Sequence, residues 1–237
     1  MVDNLAHVSR DVTSCERCPR LRRWCRKVAL LKVKRFQGEE YWGRPVPGFG
    51  DARARLLVVG LAPAAHGGNR SGRIFTGDRS GDFLFAALHR ARFANQPQSV
   101  ARGDGLALRD CYVTAVARCA PPANRLLPAE IARCREYLAR EVALLPRLRS
   151  VLVLGRVAMD GFLGMLRASG RPTPRGLLFA HGAEHDLGDG LRLFCSYHVS
   201  QQNTFTGRLT EASFDAVLLR TKRHTGAAPK HSGRASA

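Results

Sequence analysis

The sequence predicts an α/β protein in which one doubly wound parallel sheet lies between layers of helices. Four short runs have the apolar composition of buried strands, and stretches of helical periodicity separate them along the chain. The first and third runs are continuously apolar and end in glycine, which is typical of parallel strands covered on both faces. Because parallel neighbours are joined by crossovers, the alternation of strand and helix places helices on both faces of the sheet.

The predicted elements follow in order along the chain. The predicted strands are residues 56–60, 111–117, 151–155 and 191–197. The predicted helices are roughly residues 79–94, 128–145 and 156–168. Pro128 suits the first turn of the second helix, where its missing N–H is not needed. Ligands of such sheets bind beyond the carboxyl ends of the strands, so we expect the functional site in the loops that follow the four strands.

Two flanking segments differ from this central part. Residues 1–50 form a basic N-terminal extension that ends in a Pro- and Gly-rich turn at 45–50. Residues 221–237 carry four positive charges, no acids and few large apolar groups, which predicts a disordered tail. Residues 1–220 are therefore expected to form a single domain.

The charge of the chain points to a polyanionic partner. The 237 residues include 38 Lys and Arg against 19 Asp and Glu, a formal net charge of +19. Nine of the positive residues lie between Arg17 and Arg35. A field of this size favours binding along a phosphate backbone, with release of counterions.

The compartment follows from what the chain lacks and from its cysteines. No run of about twenty apolar residues is present, and the N-terminus has no apolar core of the signal-peptide kind. We therefore expect a cytoplasmic protein with no membrane partner. In a reducing cytoplasm, seven cysteines favour metal binding over disulfides.

Four cysteines have a spacing that suits a metal centre. Cys15 and Cys18 form a close pair, and fourteen residues separate Cys119 from Cys134. Four soft thiolate ligands suit a [4Fe–4S] cluster or a tetrahedral zinc ion, and either would attach the N-terminal segment to the middle of the fold. Cys25 offers another set, Cys15-x2-Cys18-x6-Cys25. Two further cysteines lie inside predicted strands and have the pattern of buried core thiols: Cys111 and Cys195.

The loop after the first strand, residues 60–81, is long, polar and rich in glycine. Gly67 and Gly72 have the separation of a Walker A motif, but Arg73-Ile74 follows where Lys and Ser/Thr are required. The alternative is a pocket for a base, with Phe75 as a stacking face, Asp78 as a carboxylate and Arg73 among the positive charges. Phe75 would equally suit a core position, and Asp78 would suit the N-cap of the next helix.

Two more loops carry polar side chains just beyond strand ends. Asn124 follows Cys119 and a Pro-Pro turn; its amide can read a base edge, or it can serve as a turn residue. His198 follows the fourth strand and is succeeded by a Ser-Gln-Gln-Asn-Thr run that can enter a groove. The position at a strand's carboxyl end favours a functional role for this histidine.

These loops together resemble the uracil-DNA glycosylase superfamily, most closely its family 5, the type B enzymes. The resemblance extends over about residues 15–210. It rests on three motifs: Gly60-Leu-Ala-Pro-Ala64 with the continuation to Asp78, the Cys119-Ala-Pro-Pro segment, and His198-Val-Ser-Gln-Gln-Asn-Thr204. It implies a three-layer αβα sandwich with a four-stranded parallel central sheet. It also implies a [4Fe–4S] cluster near the N-terminal segment, held by Cys15, Cys18, Cys119 and Cys134.

The departures from other families of the superfamily are specific. Family 1 has a water-activating Asp where this chain has Ala62, and family 4 has a Glu where it has Leu61. The base-reading Asn of family 4 corresponds to Ala115. The absence of these side chains fits family 5. It leaves Asp78 as the available water activator and Asn124 as the available base reader. A residue that discriminates less strictly between bases would allow the removal of uracil and also of hypoxanthine and modified pyrimidines.

The resemblance implies a monomer that acts on DNA containing deaminated bases and starts base excision repair. The target base leaves the stack, and side chains from the third loop fill the gap. The implied catalytic residues are Asp78 and His198. The implied base-binding residues are Leu61, Ala62, Phe75 and Asn124, and the implied DNA-binding residues are Arg73, Ser200, Gln201, Gln202 and Asn203.

Two other classes of protein share some of these features. A non-catalytic nucleic-acid-binding protein with a structural zinc site of four cysteines would have the same charge and the same thiols. It has no need of Phe75, Asp78 and His198. A nucleotide-handling enzyme needs an intact phosphate-binding motif, which the sequence lacks.

Overall fold

A computed structural model describes residues 3–226 of the chain. Within these residues, one six-stranded sheet has the order β1-β3-β2-β4-β6-β5. The four inner strands are parallel, and the two edge strands are antiparallel to their neighbours. The strands are β1 (Phe49–Gly50), β2 (Leu56–Gly60), β3 (Cys111–Ala115), β4 (Ser150–Leu154), β5 (Glu184–Asp186) and β6 (Arg192–Ser196).

The four predicted strands are confirmed as the parallel centre of the sheet, but the prediction of a purely parallel, four-stranded sheet is wrong. The sheet is mixed, because β1 and β5 add antiparallel edges. β1 has only two residues, and β5 is the polar tripeptide Glu-His-Asp. Neither has an apolar run, so their strand geometry comes from pairing with β3 and β6 and leaves no signal in the sequence.

The three predicted helices are also confirmed, although the first ends four residues early, at Arg90. Two helices in the N-terminal extension, two short helices that follow β2 and β6, and one at the C-terminus add to them. The helices are α1 (Leu5–Thr13), α2 (Pro19–Leu31), α3 (Gly68–Ser71), α4 (Arg79–Arg90), α5 (Pro128–Ala143), α6 (Arg156–Ala168), α7 (Gln201–Phe205) and α8 (Glu211–His224); 3-10 turns span Lys34–Phe36 and Pro122–Asn124. No helix within residues 3–226 is long and apolar enough to span a bilayer.

The C-terminal helix α8 enters the segment that was predicted to be disordered. Thr221 is fully buried, and its hydroxyl donates to the carbonyl of Val217. The helix therefore ends only at His224, because its buried face continues past residue 220. The rest of the predicted tail, residues 227–237, lies outside the described residues.

Alternate side chains of the strands face opposite layers, as the pleat requires. Leu56 and Val58 of β2 pack in one core with α4 and α8. Leu57 and Val59 pack in the other core with α5 and α6. The predicted three-layer αβα arrangement is confirmed by these two cores.

The N-terminal extension is folded onto the rest of the protein. Val8 and Val12 of α1 pack against Cys134 and Tyr137 of α5. Ion pairs add to this contact, since Arg140 of α5 reaches two carboxylates of the extension: Asp3 and Asp11.

A buried ionic network holds the end of β3. Arg118 and Glu141 are 1% and 0% exposed, and Arg118 Nη2 lies 2.6 Å from Glu141 Oε2. Thr114 accepts a hydrogen bond from Arg118 and donates one of 2.7 Å to Glu141. The backbone carbonyl of Arg118 accepts from the N–H of Val46, so the network fixes the chain immediately before Cys119.

Candidate active site

The loops that follow the parallel strands meet at one edge of the sheet, as the sequence predicts. The rings of Phe75 and His198, from the loops after β2 and β6, have centroids 6.2 Å apart at an angle of 37°. A Cβ at Gly155, which follows β4, would lie 3.5 Å from the Cβ of His198. The first, third and fourth parallel strands thus all contribute to this edge.

Phe75 is held by two glycines. Its ring lies over the end of β2, where a Cβ at Gly60 would approach ring carbon Cζ to 2.6 Å. A Cβ at Gly81 would approach the Phe75 carbonyl oxygen to 2.0 Å. The Phe75 backbone has φ +51°, a region that non-glycine residues occupy when surrounding structure forces it, often at functional sites. At 7% exposure Phe75 is part of the core, as one interpretation expects, and its ring also contacts His198.

The two carboxylate oxygens of Asp78 have different surroundings. Oδ1 accepts a 3.0 Å hydrogen bond from the N–H of Gly81, which makes Asp78 the N-cap of α4. Oδ2 lies so close to Gly67 that a Cβ there would be 1.8 Å away. Burial raises the pKa of the Asp78 carboxyl, while hydrogen bonds from the N–H groups of Gly81 and Ser80 act in the opposite direction. One oxygen is thus used by the helix, and the other faces the loop after β2.

Arg70 braces this loop, a role that the sequence did not reveal. Its Nε donates to the carbonyl of His66 at 2.8 Å, and its Nη2 donates to the carbonyl of Gly77 at 2.7 Å. Glu39 of the N-terminal extension forms an ion pair with the same guanidinium. The positive charge of Arg70 also lowers the pKa of Asp78, though by less than burial raises it.

His198 has a free imidazole at the mouth of the site. Burial lowers its pKa, so the ring is neutral at pH 7 and carries one N–H donor. Within residues 3–226 no group hydrogen-bonds to either ring nitrogen. Asn203 instead holds the backbone, since its Nδ2 donates to the His198 carbonyl at 2.7 Å. The ring is therefore positioned and available to a ligand.

Four of the five residues predicted to contact DNA follow one another in the chain after His198. Gln201 and Gln202 are exposed at the start of α7, and Ser200 beside them is half-buried. Asn203 is engaged with the His198 carbonyl. These four residues directly follow the His198 loop, at the start of α7.

Arg73 is placed differently from the prediction. It is 8% exposed, and its guanidinium forms two hydrogen bonds with Asp104, of 2.9 and 2.6 Å. Its Nε donates to Thr76 and its Nη2 to Ser99, each at 2.9 Å. These internal partners satisfy the guanidinium, so Arg73 supports the loop and is not free to bind a phosphate.

The predicted base-binding residues of the first two loops are spread more widely. Leu61 and Ala62 are half-buried directly after β2, and the Leu61 carbonyl accepts from the N–H of Ala117 at 3.1 Å. Asn124 is exposed on a 3-10 turn with φ +55°. Within residues 3–226 no hydrogen bond joins its side chain to Phe75, Asp78 or His198.

The predicted metal ligands lie in one region, between α2, α5 and the loop after β3. Cys18 and Cys119 pack in one buried cluster, which also contains Cys25. Cys15 packs against the cluster that contains Cys134. Burial, and then the negative charge of a Cys15 thiolate, raise the pKa of the Cys18 thiol, so these sulfur atoms are near enough to repel one another when ionised.

This donor set fits a soft metal centre in its chemistry and its location. All seven cysteines are free thiols, and the four predicted ligands are buried or half-buried. In the described part of the chain, however, no three His, Cys, Asp or Glu side chains already stand in metal-binding geometry. Cys25 lies in the same region: its thiol donates to the carbonyl of Ala120 at 3.5 Å, and it packs in one cluster with Cys18 and Cys119.

Comparison with known proteins agrees with this architecture. Residues 47–222 match the model of the uracil DNA glycosylase superfamily. The type-5 uracil-DNA glycosylase of Mycobacterium tuberculosis is 49% identical over 216 residues, which cover 91% of this chain and 80% of that protein. That of Thermus thermophilus is 48% identical over 217 residues (91% and 95%), and that of Pyrobaculum aerophilum is 43% identical over 215 residues (91% of each).

Proposed function

This chain belongs to the uracil-DNA glycosylase superfamily, and we propose that it is a DNA-repair enzyme that excises uracil by hydrolysing the N-glycosidic bond. The observation that carries the proposal is the meeting of the Phe75 and His198 rings beside the Asp78 loop. This geometry occurs in a chain that is 43–49% identical to type-5 enzymes over nine-tenths of its length.

The target base reaches the site by leaving the DNA stack, which costs a few kcal/mol and costs least at a mismatch. In the proposed complex the extruded base lies against the side of the Phe75 ring that faces His198. The His198 imidazole is at the rim of the same pocket, 6.2 Å away between centroids. Gln201 and Gln202 are exposed shortly after His198 in the chain and would occupy the space that the base leaves in the duplex.

The reaction breaks the bond between the sugar C1′ and the base nitrogen. The electron pair goes to the base, water supplies a hydroxyl to C1′, and the remaining proton ends on the base. A neutral His198 can donate its N–H to the developing base anion in a partly dry site, together with the backbone N–H groups of Leu61 and Ala62. Stabilisation of the leaving base therefore needs no charged acid.

Asp78 acts on the other side of the bond that breaks. Its Oδ1 is committed to the helix, and Oδ2 is left to orient water or to steady the positively charged sugar. If bond breaking precedes water attack, a strong general base is dispensable. This explains a first motif that carries Leu61 and Ala62 in place of a carboxylate.

We extend the substrate range to hypoxanthine and modified pyrimidines. The last residue of β3 is Ala115, which is fully buried and has no polar side chain to read a base. The available amide, Asn124, is on an exposed turn. A base reader on a surface turn discriminates less strictly than one fixed within a strand.

We further propose that Cys15, Cys18, Cys119 and Cys134 hold a [4Fe–4S] cluster. When bound, it would supply a cross-link between the N-terminal extension, the loop after β3 and α5. Base excision moves no electrons, so the role is structural. Purified protein should be brown, and Cys119→Ser should lose iron while Cys111→Ser, a core thiol of β3, should retain it. Loss of iron in Cys25→Ser with retention in Cys134→Ser would support the other ligand set, and zinc without colour would exclude the cluster.

The experiment on function uses oligonucleotides that contain one uracil or one hypoxanthine, in single strands and in duplexes. Treatment with alkali after incubation should break the strand only at the lesion. Asp78→Ala and His198→Ala should each lower the rate by more than about tenfold, since positioned acid–base groups typically contribute about 10²–10⁴-fold. Strands that stay intact with the wild-type protein would favour a non-catalytic DNA-binding protein. Smaller losses in both variants would overturn the assigned roles.

A further inference from the structure

Trp42 lies beside two arginines on a surface separate from the base pocket. The guanidinium carbon of Arg102 is 4.3 Å from the centroid of the Trp42 ring, and that of Arg44 is 5.6 Å away. The indole N–H donates to the carbonyl of Pro45 at 3.1 Å. A Cβ at Gly72 would be 2.9 Å from the ring, so the indole is seated on this glycine. The ring is fixed from below and holds two guanidinium groups by cation–π contact.

These residues border a continuous groove. Two cavities of about 430 and 360 Å³ adjoin each other and share Thr13, Ser14, Trp42 and Arg44. One wall is the C-terminal half of α1, and the other is the Trp42 surface. We call this the Trp42 groove.

The Trp42 groove has a surplus of positive charge. Arg10, Arg44 and Arg102 are exposed, and within residues 3–226 no carboxylate forms an ion pair with any of them. The one acid in the lining, Glu16, already pairs with two other arginines of the extension: Arg22 and Arg26. Unneutralised arginines that an aromatic ring holds in place have given up part of their side-chain entropy before binding. This is the arrangement expected for an anion site.

The Trp42 groove runs alongside the loop that carries the active-site residues. Gly72, under the indole, precedes Phe75 and Asp78 in the same loop. Gly77 packs against the carbonyl of Val100, two residues before Arg102. A strand of DNA whose lesion lies in the base pocket would therefore pass close to the groove.

We propose that the Trp42 groove binds the phosphate backbone of the DNA that flanks the excised base. Arg44 and Arg102 are its phosphate ligands, and Trp42 positions them. The inference rests on the proposed function, since it takes DNA as the polyanion. It supplies the charged contact for which Arg73, being buried and internally paired, is not available.

The test compares Arg44→Ala/Arg102→Ala with a control of equal charge, Arg53→Ala/Arg147→Ala. Both control residues are exposed, and they precede β2 and β4, so they lie near the amino ends of the strands. Affinity for undamaged duplex DNA is measured by fluorescence anisotropy over a range of salt concentrations. The plot of log K against log salt should become shallower by about 0.9 for each phosphate that the groove variant no longer neutralises, and should change much less in the control. Thermal unfolding establishes that both variants are folded.

Two further variants test the positioning role of the indole. Trp42→Ala should weaken binding by about fivefold or more, while Trp42→Phe, which keeps a ring for the guanidinium groups, should restore most of the affinity. On uracil-containing DNA the groove variants should raise KM more than they lower kcat. Long duplexes should be affected more than short oligonucleotides that cover only the lesion and its neighbours.

The results separate the groove from the proposed function. Equal salt slopes in the groove and control variants, or equally weakened binding to short and long DNA, would overturn the groove while leaving uracil excision intact. A wild-type protein that binds undamaged DNA through the groove but excises no base would refute the glycosylase proposal alone.

Discussion

The aromatic rings of Phe75 and His198 lie 6.2 Å apart, although one follows the first parallel strand and the other the last. The contact depends on the glycine that ends β2, because the Phe75 ring occupies the space of a Gly60 side chain. The pocket wall is therefore set by backbone geometry at a strand end.

Gly60→Ala should displace the Phe75 ring. The added Cβ would lie 2.6 Å from ring carbon Cζ, and overpacking of this kind costs about 1–3 kcal/mol. We expect a lower melting temperature and a fall in uracil excision that exceeds the loss of folded protein. Gly38→Ala is the control, since a Cβ there meets nothing within 4 Å. Unchanged excision by Gly60→Ala would mean that Phe75 is only a core residue.

The two roles of Asp78 can be separated by substitution. Asparagine is as good an N-cap as aspartate but carries no charge, whereas alanine cannot cap and costs about 0.5–2 kcal/mol. Asp78→Asn should therefore retain stability and lose excision activity, while Asp78→Ala should lose both. Urea unfolding and single-turnover excision measure the two effects. A fully active Asp78→Asn would leave the residue with a capping role only.

His198 should titrate below the ordinary histidine range. Burial depresses its pKa from 6.5, so on acidification the unfolded chain takes up a proton before the folded one. The free energy of unfolding that is linked to His198 is therefore fully present above pH 6.5 and decreases as the pH drops below that value. NMR titration of the imidazole, assigned with His198→Asn, should give a midpoint below 6.5. A midpoint at or above 6.5 would contradict the lowering of the pKa by burial, and one above 7 would contradict a neutral donor at pH 7.

Arg70 should lower the pKa of Asp78 as well as hold the loop that carries it. The Arg70 charge lowers the pKa of the Asp78 carboxyl, so Arg70→Met should raise that pKa further and shift the acidic limb of the pH–rate profile to higher pH. Arg70→Lys keeps the charge and should restore the limb's position. It should not restore the full rate, because one ammonium cannot serve the carbonyls of His66 and Gly77 in the same way. A purely structural Arg70 would lower the rate without moving the limb.

The buried ion pair of Arg118 with Glu141 should matter for stability. Removing one partner of a buried pair typically costs about 3–5 kcal/mol, because the other charge is left without compensation. Glu141→Ala should therefore be strongly destabilised in urea. Glu136→Ala removes an exposed partner of Arg17 and should cost no more than about 1 kcal/mol. If the two variants lose similar free energies of unfolding, water compensates the Arg118 charge in Glu141→Ala, and the buried pair does not matter more than the exposed one.

Much of the fold and of the site could be predicted, since local patterns carry it. The apolar runs marked the four parallel strands, and parallel strands bring their carboxyl ends to one edge. Phe75, Asp78 and His198 could be identified for this reason, each in a loop that follows such a run. The edge strands β1 and β5 could not be predicted, because two or three residues without an apolar run adopt strand geometry only by pairing with a neighbour.

The sequence by itself determined the parallel sheet, the edge that carries the site and the positive charge. Only the tertiary structure decided which arginines face solvent. Arg73 is buried and pairs with Asp104 of a distant loop, whereas Arg44 and Arg102 are exposed and lie against the Trp42 ring. The tertiary structure also placed Cys25 beside Cys119. Hydrophobic periodicity is a local property of the chain, whereas ion pairs and thiol contacts join segments whose distance in space is set by packing.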